Sequence, residues 1–160
     1  MFKNGDYIAH PMHGAGVIES IVTKKINGSQ RDYYVLKLPV GDMVVMVPVS
    51  GCEDIGVRSI ISRSEAEKLF SAFSEIEISM TQNWNKRYRE NMDKIKSGNL
   101  LDVASVVKGL MCRDSERGLS TSERKMLHSA KQILISELVI ATDMDYDGVE
   151  KRLCAALKEG

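Results

Sequence analysis

At 160 residues the chain has room for one domain or two small ones, and its 43% hydrophobic and 28% charged content is that of a soluble globular protein, not a disordered, fibrous or membrane one. The 22 Lys and Arg balance 22 Asp and Glu, which argues against a DNA-coating protein that must neutralise many phosphates. Cys52, Cys112 and Cys154 are odd in number, form no CxxC pair and follow no recognisable secretory leader. With no apolar run near the ~20 residues that cross a bilayer, this gives the expectation of a cytoplasmic protein with reduced thiols.

From Asp6 to Val49 the pattern is β. Tyr7–His10, Gly16–Thr23, Asp32–Leu38 and Met43–Val49 are rich in Val, Ile and Tyr and separated by turn residues. Asn27-Gly28 predicts a tight hairpin, since both residues tolerate positive φ, and Pro39-Val40-Gly41-Asp42 predicts the next reversal. Several short antiparallel strands in about 60 residues imply a small SH3- or Tudor-like barrel. The run Met43-Val44-Val45-Met46-Val47-Pro48-Val49 is apolar on both faces of a strand, although antiparallel strands usually keep one face wet. Its outer face, with the neighbouring Lys24-Lys25-Ile26, either docks a partner protein or packs on the rest of the chain. Pattern leaves both readings open.

After Gly56-Val57-Arg58 the period changes from two to nearly four, which marks a boundary between a β domain over residues 1–60 and a helical domain over 61–160. The fold class expected is therefore α+β, with about five helices after the barrel. A first helix over 64–73 follows the capping-box spacing Ser64-Glu65-Ala66-Glu67. A second runs from Thr81 to Ser97 and stops at Gly98, with Trp84, Tyr88, Met92 and Ile95 along one side. A third covers Leu100–Cys112. Ser120-Thr121-Ser122-Glu123 caps a fourth that reaches Ala141, and a fifth spans Tyr146–Lys158.

Little in the sequence suggests catalysis. His10 and His13 lack an acid or cysteine at ligand spacing, and zinc wants three or four ligands. Gly14-Ala15-Gly16 opens no helix and precedes no Lys-Ser/Thr, so it is a bulge or turn and not a phosphate cradle. No nucleophile–base–acid set emerges. The expectation is a non-enzyme with no metal, no cofactor and no small-molecule substrate.

The second helix is different. It carries the only tryptophan, and Lys86, Arg87, Arg89, Lys94 and Lys96 outnumber Glu90 and Asp93 around it. Such a cluster suits nucleic acid: cations hold phosphates while a flat ring addresses a base step. Spacing alone favours the alternative, because an aromatic residue on a helix stripe is more often core.

Ordered matches along nearly the whole chain change that preference. Phe2-Lys3-Asn4-Gly5-Asp6, His10-Pro11-Met12-His13-Gly14-Ala15-Gly16, Tyr34-Val35-Leu36-Lys37, Val47-Pro48-Val49, Gly56-Val57-Arg58, Asn83-Trp84-Asn85-Lys86-Arg87-Tyr88 and Arg113-Asp114-Ser115-Glu116-Arg117-Gly118-Leu119-Ser120 are similar to segments of the CarD/CdnL group of bacterial transcription regulators. The resemblance implies a Tudor-like domain that binds the RNA polymerase β subunit, followed by a compact helical domain that contacts promoter DNA with little regard for sequence. It implies that Trp84 wedges into the minor groove at the upstream edge of the transcription bubble, with Lys86, Arg87 and Arg89 on the DNA backbone. Polymerase contact falls on Lys24, Ile26 and Met46, although known members carry arginine at the position of Met46 and often at that of Lys24. Lys108, Arg113 and Lys125 are further cations without an assigned role. A monomer that reaches the nucleoid through polymerase is expected; a protein–protein adaptor without DNA contact is the alternative.

Overall fold

The computed structural model describes residues 1–39, 43–78 and 81–159. Strands come first and helices after, without interleaving: β1 (Tyr7–His10), β2 (Gly14–Ile26), β3 (Ser29–Lys37), β4 (Val44–Pro48), β5 (Arg58–Ser59), then α1 (Arg63–Glu75), α2 (Trp84–Lys96), α3 (Leu100–Arg117), α4 (Thr121–Thr142) and α5 (Tyr146–Glu159). The strands form one antiparallel sheet in the order β4-β3-β2-β1-β5.

Asn27 and Gly28 take φ of 51° and 81° and join β2 to β3 in the predicted tight turn. These two strands are longer than their apolar patterns, because the polar residues Lys24, Lys25, Gln30 and Arg31 continue the ladder beyond the core as a hairpin arm. The register shifts between Ile18 and Ser20, a bulge that bends β2. The reversal expected at Pro39-Val40-Gly41-Asp42 lies partly outside the described residues. Strand β5 is an addition: Arg58, at the end of the Gly56-Val57-Arg58 stretch, and Ser59, just after it, pair with β1.

Each half has its own core. Ile8, Ile18, Tyr34, Leu36 and Val47 fill the inner side of the sheet, and Phe73, Val107, Leu110, Leu134 and Leu138 lie at the centre of the helices. The helix caps refine the sequence reading. The capping box belongs to Ser62 and Glu65, two residues earlier than expected. Helix α2 begins at Trp84, with the Asn83 side chain accepting from the Lys86 amide. Helix α3 continues past Cys112 to Arg117 and stops at Gly118, whose φ is 76°.

The two halves are joined by polar contacts that sequence spacing does not reveal. The Ser136 hydroxyl on α4 accepts from the Ala15 amide at 2.9 Å. The Arg58 guanidinium donates to both oxygens of Glu137 at 2.7 and 3.0 Å and to the Gly98 carbonyl at 3.2 Å.

Candidate nucleic-acid and protein interfaces

Helix α2 turns three positions inward at spacing i, i+4, i+8: Arg87, Asn91 and Ile95. The expected stripe of Trp84, Tyr88, Met92 and Ile95 lies beside that line. Its burial is graded along the helix, from Ile95 at 3% exposure, through the half-buried Met92 and Tyr88, to Trp84 at 41%. As the first residue of the helix, Trp84 protrudes beyond the core that holds the other end of the stripe. Its ring stacks on Tyr88, with centroids 5.3 Å apart and planes 22° from parallel, and its Nε1–H points to Ser120 Oγ at 3.4 Å.

Lys86 and Arg89 are exposed on the same helix. Arg87 differs from the expectation that it faces DNA. It is only 3% exposed. Its Nε and Nη2 donate to the Glu123 carboxylate at 3.0 and 3.3 Å, and its Nη1 donates to the carbonyls of Thr81 and Gln82 at 3.1 and 3.2 Å. All three guanidinium nitrogens are hydrogen-bonded inside the protein, where they tie α4 to the start of α2. Glu123 in turn does not close the capping box suggested by its spacing from Ser120, because its carboxylate is turned toward Arg87. Arg113 Nε lies 4.0 Å away, an ion-pair distance too long for a hydrogen bond. Burial alone would raise the Glu123 pKa, but the Arg87 hydrogen bonds and charge, with Arg113 and Ser120, hold it below the usual glutamate range.

Of the other cations, Lys125 is exposed, whereas Lys108 is buried and donates to the carbonyls of Ser74 and Ile76 at 2.9 Å each. The contact between Trp84 and Ser120 also brings two helix N-termini together, those of α2 and α4. Arg117 and Arg124, three and four residues from Ser120, are exposed beside them. The N-termini of α2 and α4 thus converge near the exposed cations Lys86, Arg89, Arg117 and Arg124, an arrangement suited to an anion.

The sheet carries a second surface. Alternation along β3 puts Arg31, Tyr33 and Val35 on one face, and the register adds Lys24, Val22 and Ser20 from β2 and Pro48 and Met46 from β4. Ile26 shares that face, two residues beyond Lys24. Lys24, Ile26 and Met46 are therefore on one side of the sheet, spread over about 20 Å along the strands. Tyr33, Val35, Val22 and Met46 belong to neither core. Among the described residues the outer face of β4 thus adds to neither core, and the strand is an edge of the sheet, paired with β3.

His10 and His13 are neighbours, with ring centroids 4.5 Å apart, but His10 Nδ1 accepts from the Met12 amide at 3.0 Å and so shapes the β1–β2 turn. Burial, and then the charge of His13, lower the His10 pKa. No group of three or more His, Cys, Asp or Glu side chains that could hold a metal is gathered among the described residues. None of the described helices is long and apolar enough to cross a membrane.

A five-stranded, Tudor-like antiparallel sheet followed by five helices defines a two-part α+β architecture. Residues 2–61 match the CarD-like/TRCF RID domain, and residues 68–154 match the CarD C-terminal domain. The chain is also 38% identical over 140 residues, 88% of its length and 92% of the relative's, to a protein of Bacillus subtilis (strain 168) named "Putative transcription factor YdeB". The chain belongs to the CarD family.

Proposed function

We propose that the protein is a non-enzymatic transcription regulator that joins RNA polymerase to promoter DNA. In this reading residues 1–60 bind the polymerase β subunit through the face bearing Lys24, Ile26 and Met46. Residues 61–160 contact DNA, with Trp84 as a wedge in the minor groove at the upstream edge of the bubble. Lys86 and Arg89 hold phosphates, and Arg87 anchors the helix that carries the wedge. The observation that carries the reading is the exposure of Trp84 at the tip of α2, between two helix N-termini and a set of exposed cations.

The energetics are coherent. An inserted ring repays an unstacking cost of a few kcal/mol, which is smallest at a step already melted or easily deformed. A regulator that binds the open complex more tightly than the closed one shifts the equilibrium toward open, whereas equal affinity shifts nothing. Tethering to polymerase raises the local concentration of the helical half at the promoter, so a weak, nearly sequence-blind contact suffices. A neutral chain is suited to that arrangement and localises to the nucleoid through polymerase.

Trp84→Ala tests it. The half-exposed ring stabilises the fold by about 1 kcal/mol through Tyr88, so folding and polymerase binding persist while the open-complex lifetime shortens. Unchanged lifetime, with no effect of the protein on polymerase–promoter affinity across a salt series, would identify an adaptor without DNA contact.

A further inference from the structure

We infer that Ser120 is a positioning residue for Trp84, holding the indole in a fixed orientation through a hydroxyl whose own hydrogen is committed to Glu123. The inference rests on the wedge reading for its consequence but not for its geometry.

Ser120 is the N-cap of α4, and its Oγ has three neighbours: the Glu123 amide at 3.2 Å, a Glu123 carboxylate oxygen at 3.4 Å and Trp84 Nε1 at 3.4 Å. A serine hydroxyl has one hydrogen and two lone pairs. The amide and the indole are both donors, so each requires a lone pair, and the hydrogen has only the carboxylate left as partner. Glu123 is an acceptor because Arg87 and Arg113 keep it ionised. The chain of dependence therefore runs from the buried Arg87–Glu123 pair to the orientation of the Ser120 hydroxyl, and from that hydroxyl to the indole N–H. Tyr88 covers one face of the ring. A ring held by a stacking partner and by its single N–H has little rotamer freedom to lose on binding, which is how a preorganised contact gains affinity.

This assigns a function to a residue 36 positions from the tryptophan and outside the basic helix. Serine as a cap alone would be equivalent to other capping residues. Serine as an acceptor for Trp84 is not.

Because Trp84 is the only tryptophan, its fluorescence reports the contact directly. Ser120→Gly keeps most of the capping strength, since glycine at an N-cap costs only a few tenths of a kcal/mol, yet removes the hydroxyl. In the full-length protein, Ser120→Gly is expected to shift Trp84 emission to longer wavelength and to raise its quenching by acrylamide, with the melting temperature nearly unchanged. Ser120→Thr, which retains the hydroxyl, is expected to restore both signals. On promoter complexes Ser120→Gly should shorten lifetime roughly two- to tenfold, the range for one loosened side chain. Emission and quenching identical to the parent overturn the inference, as does a Thr variant that fails to restore them while remaining folded. If Trp84→Ala has no effect on promoter complexes but the fluorescence changes appear, the positioning stands and the wedge reading fails.

Discussion

Arg58 at the edge of the sheet and Glu137 in the C-terminal third of α4 form a two-pronged ion pair, 2.7 and 3.0 Å, that fastens the two halves of the chain together. Glu137 also accepts from the Ile61 amide at 2.8 Å, so one carboxylate orients both the last strand and the segment leading into α1. The relation matters for a protein with a sheet surface and a tryptophan on separate halves, because it fixes the angle between them.

Removing Arg58 leaves Glu137 nearly buried with a single backbone donor. Uncompensated buried charges cost about 3–5 kcal/mol, and the partial exposure of Arg58 favours the lower end. Arg58→Ala should lower the melting temperature by roughly 6–12 °C for a chain of this size. The double replacement Arg58→Met with Glu137→Leu should recover much of the loss, since it leaves no orphaned charge. Thermal unfolding of the three variants checks both expectations. A double variant no better than Arg58→Ala would refute the account.

Gly14 is the second junction. Its φ of 94° is strained for any residue with a Cβ, and a Cβ there would collide with Ser136 Oγ and crowd the Ile133 backbone. Gly14→Ala is expected to destabilise by about 2–4 kcal/mol, combining backbone strain with displacement of α4. Ser136→Ala should not rescue it, because the Ala15 amide then loses the Ser136 hydroxyl as its acceptor, a loss of about 1–3 kcal/mol. Chemical denaturation of the single and double variants measures both.

These junctions show why some of the molecule is legible in sequence and some is not. The change of period after Arg58 separates sheet from helices, and Asn27-Gly28 fixes the hairpin, because both signals are local. Arg87 looks like one more surface cation among Lys86 and Arg89, since its partner Glu123 is 36 residues away and only folding brings them together. Apolar spacing ends at Cys112, yet α3 continues through the polar residues 113–117 and is ended by Gly118. The two residues of β5 are too few for periodicity to detect. Trp84 is ambiguous for a geometric reason: it stands at the end of a stripe whose other end is core.

The Arg87–Glu123 pair makes stability depend on pH in a defined direction. Glu123 is held below its ordinary value of 4.5, so the unfolded chain takes up this proton at higher pH than the folded one. Its contribution is complete above the ordinary glutamate range and is lost as pH falls through the lower folded value. Glu123→Gln leaves the Arg87 guanidinium buried without a counter-charge and should cost about 3–5 kcal/mol at pH 7. The gap between parent and variant should shrink as the pH approaches 3. Denaturant titrations at several pH values test this, and a gap that stays constant or widens in acid would refute the assignment.

The outer sheet face provides the last test. Met46 and Ile26 belong to neither core, so replacing them with Asp removes little packing inside the protein. Substitutions of that kind usually shift stability by no more than about 0.5 kcal/mol, somewhat more for the half-buried Met46. If this face docks the polymerase β subunit, Met46→Asp should weaken binding at least tenfold by burying an unpaired charge at an apolar contact. Ile26→Asp should do the same less severely from the end of the hairpin arm, where the rim of a contact is wetter. Met46→Arg separates shape from charge. An acidic partner surface gains an ion pair with arginine and binds more tightly at low salt, whereas a purely apolar one binds less tightly at every salt concentration. Binding of each folded variant to polymerase across a salt series decides between them. Undiminished binding by both Asp variants would show that polymerase does not dock on this face.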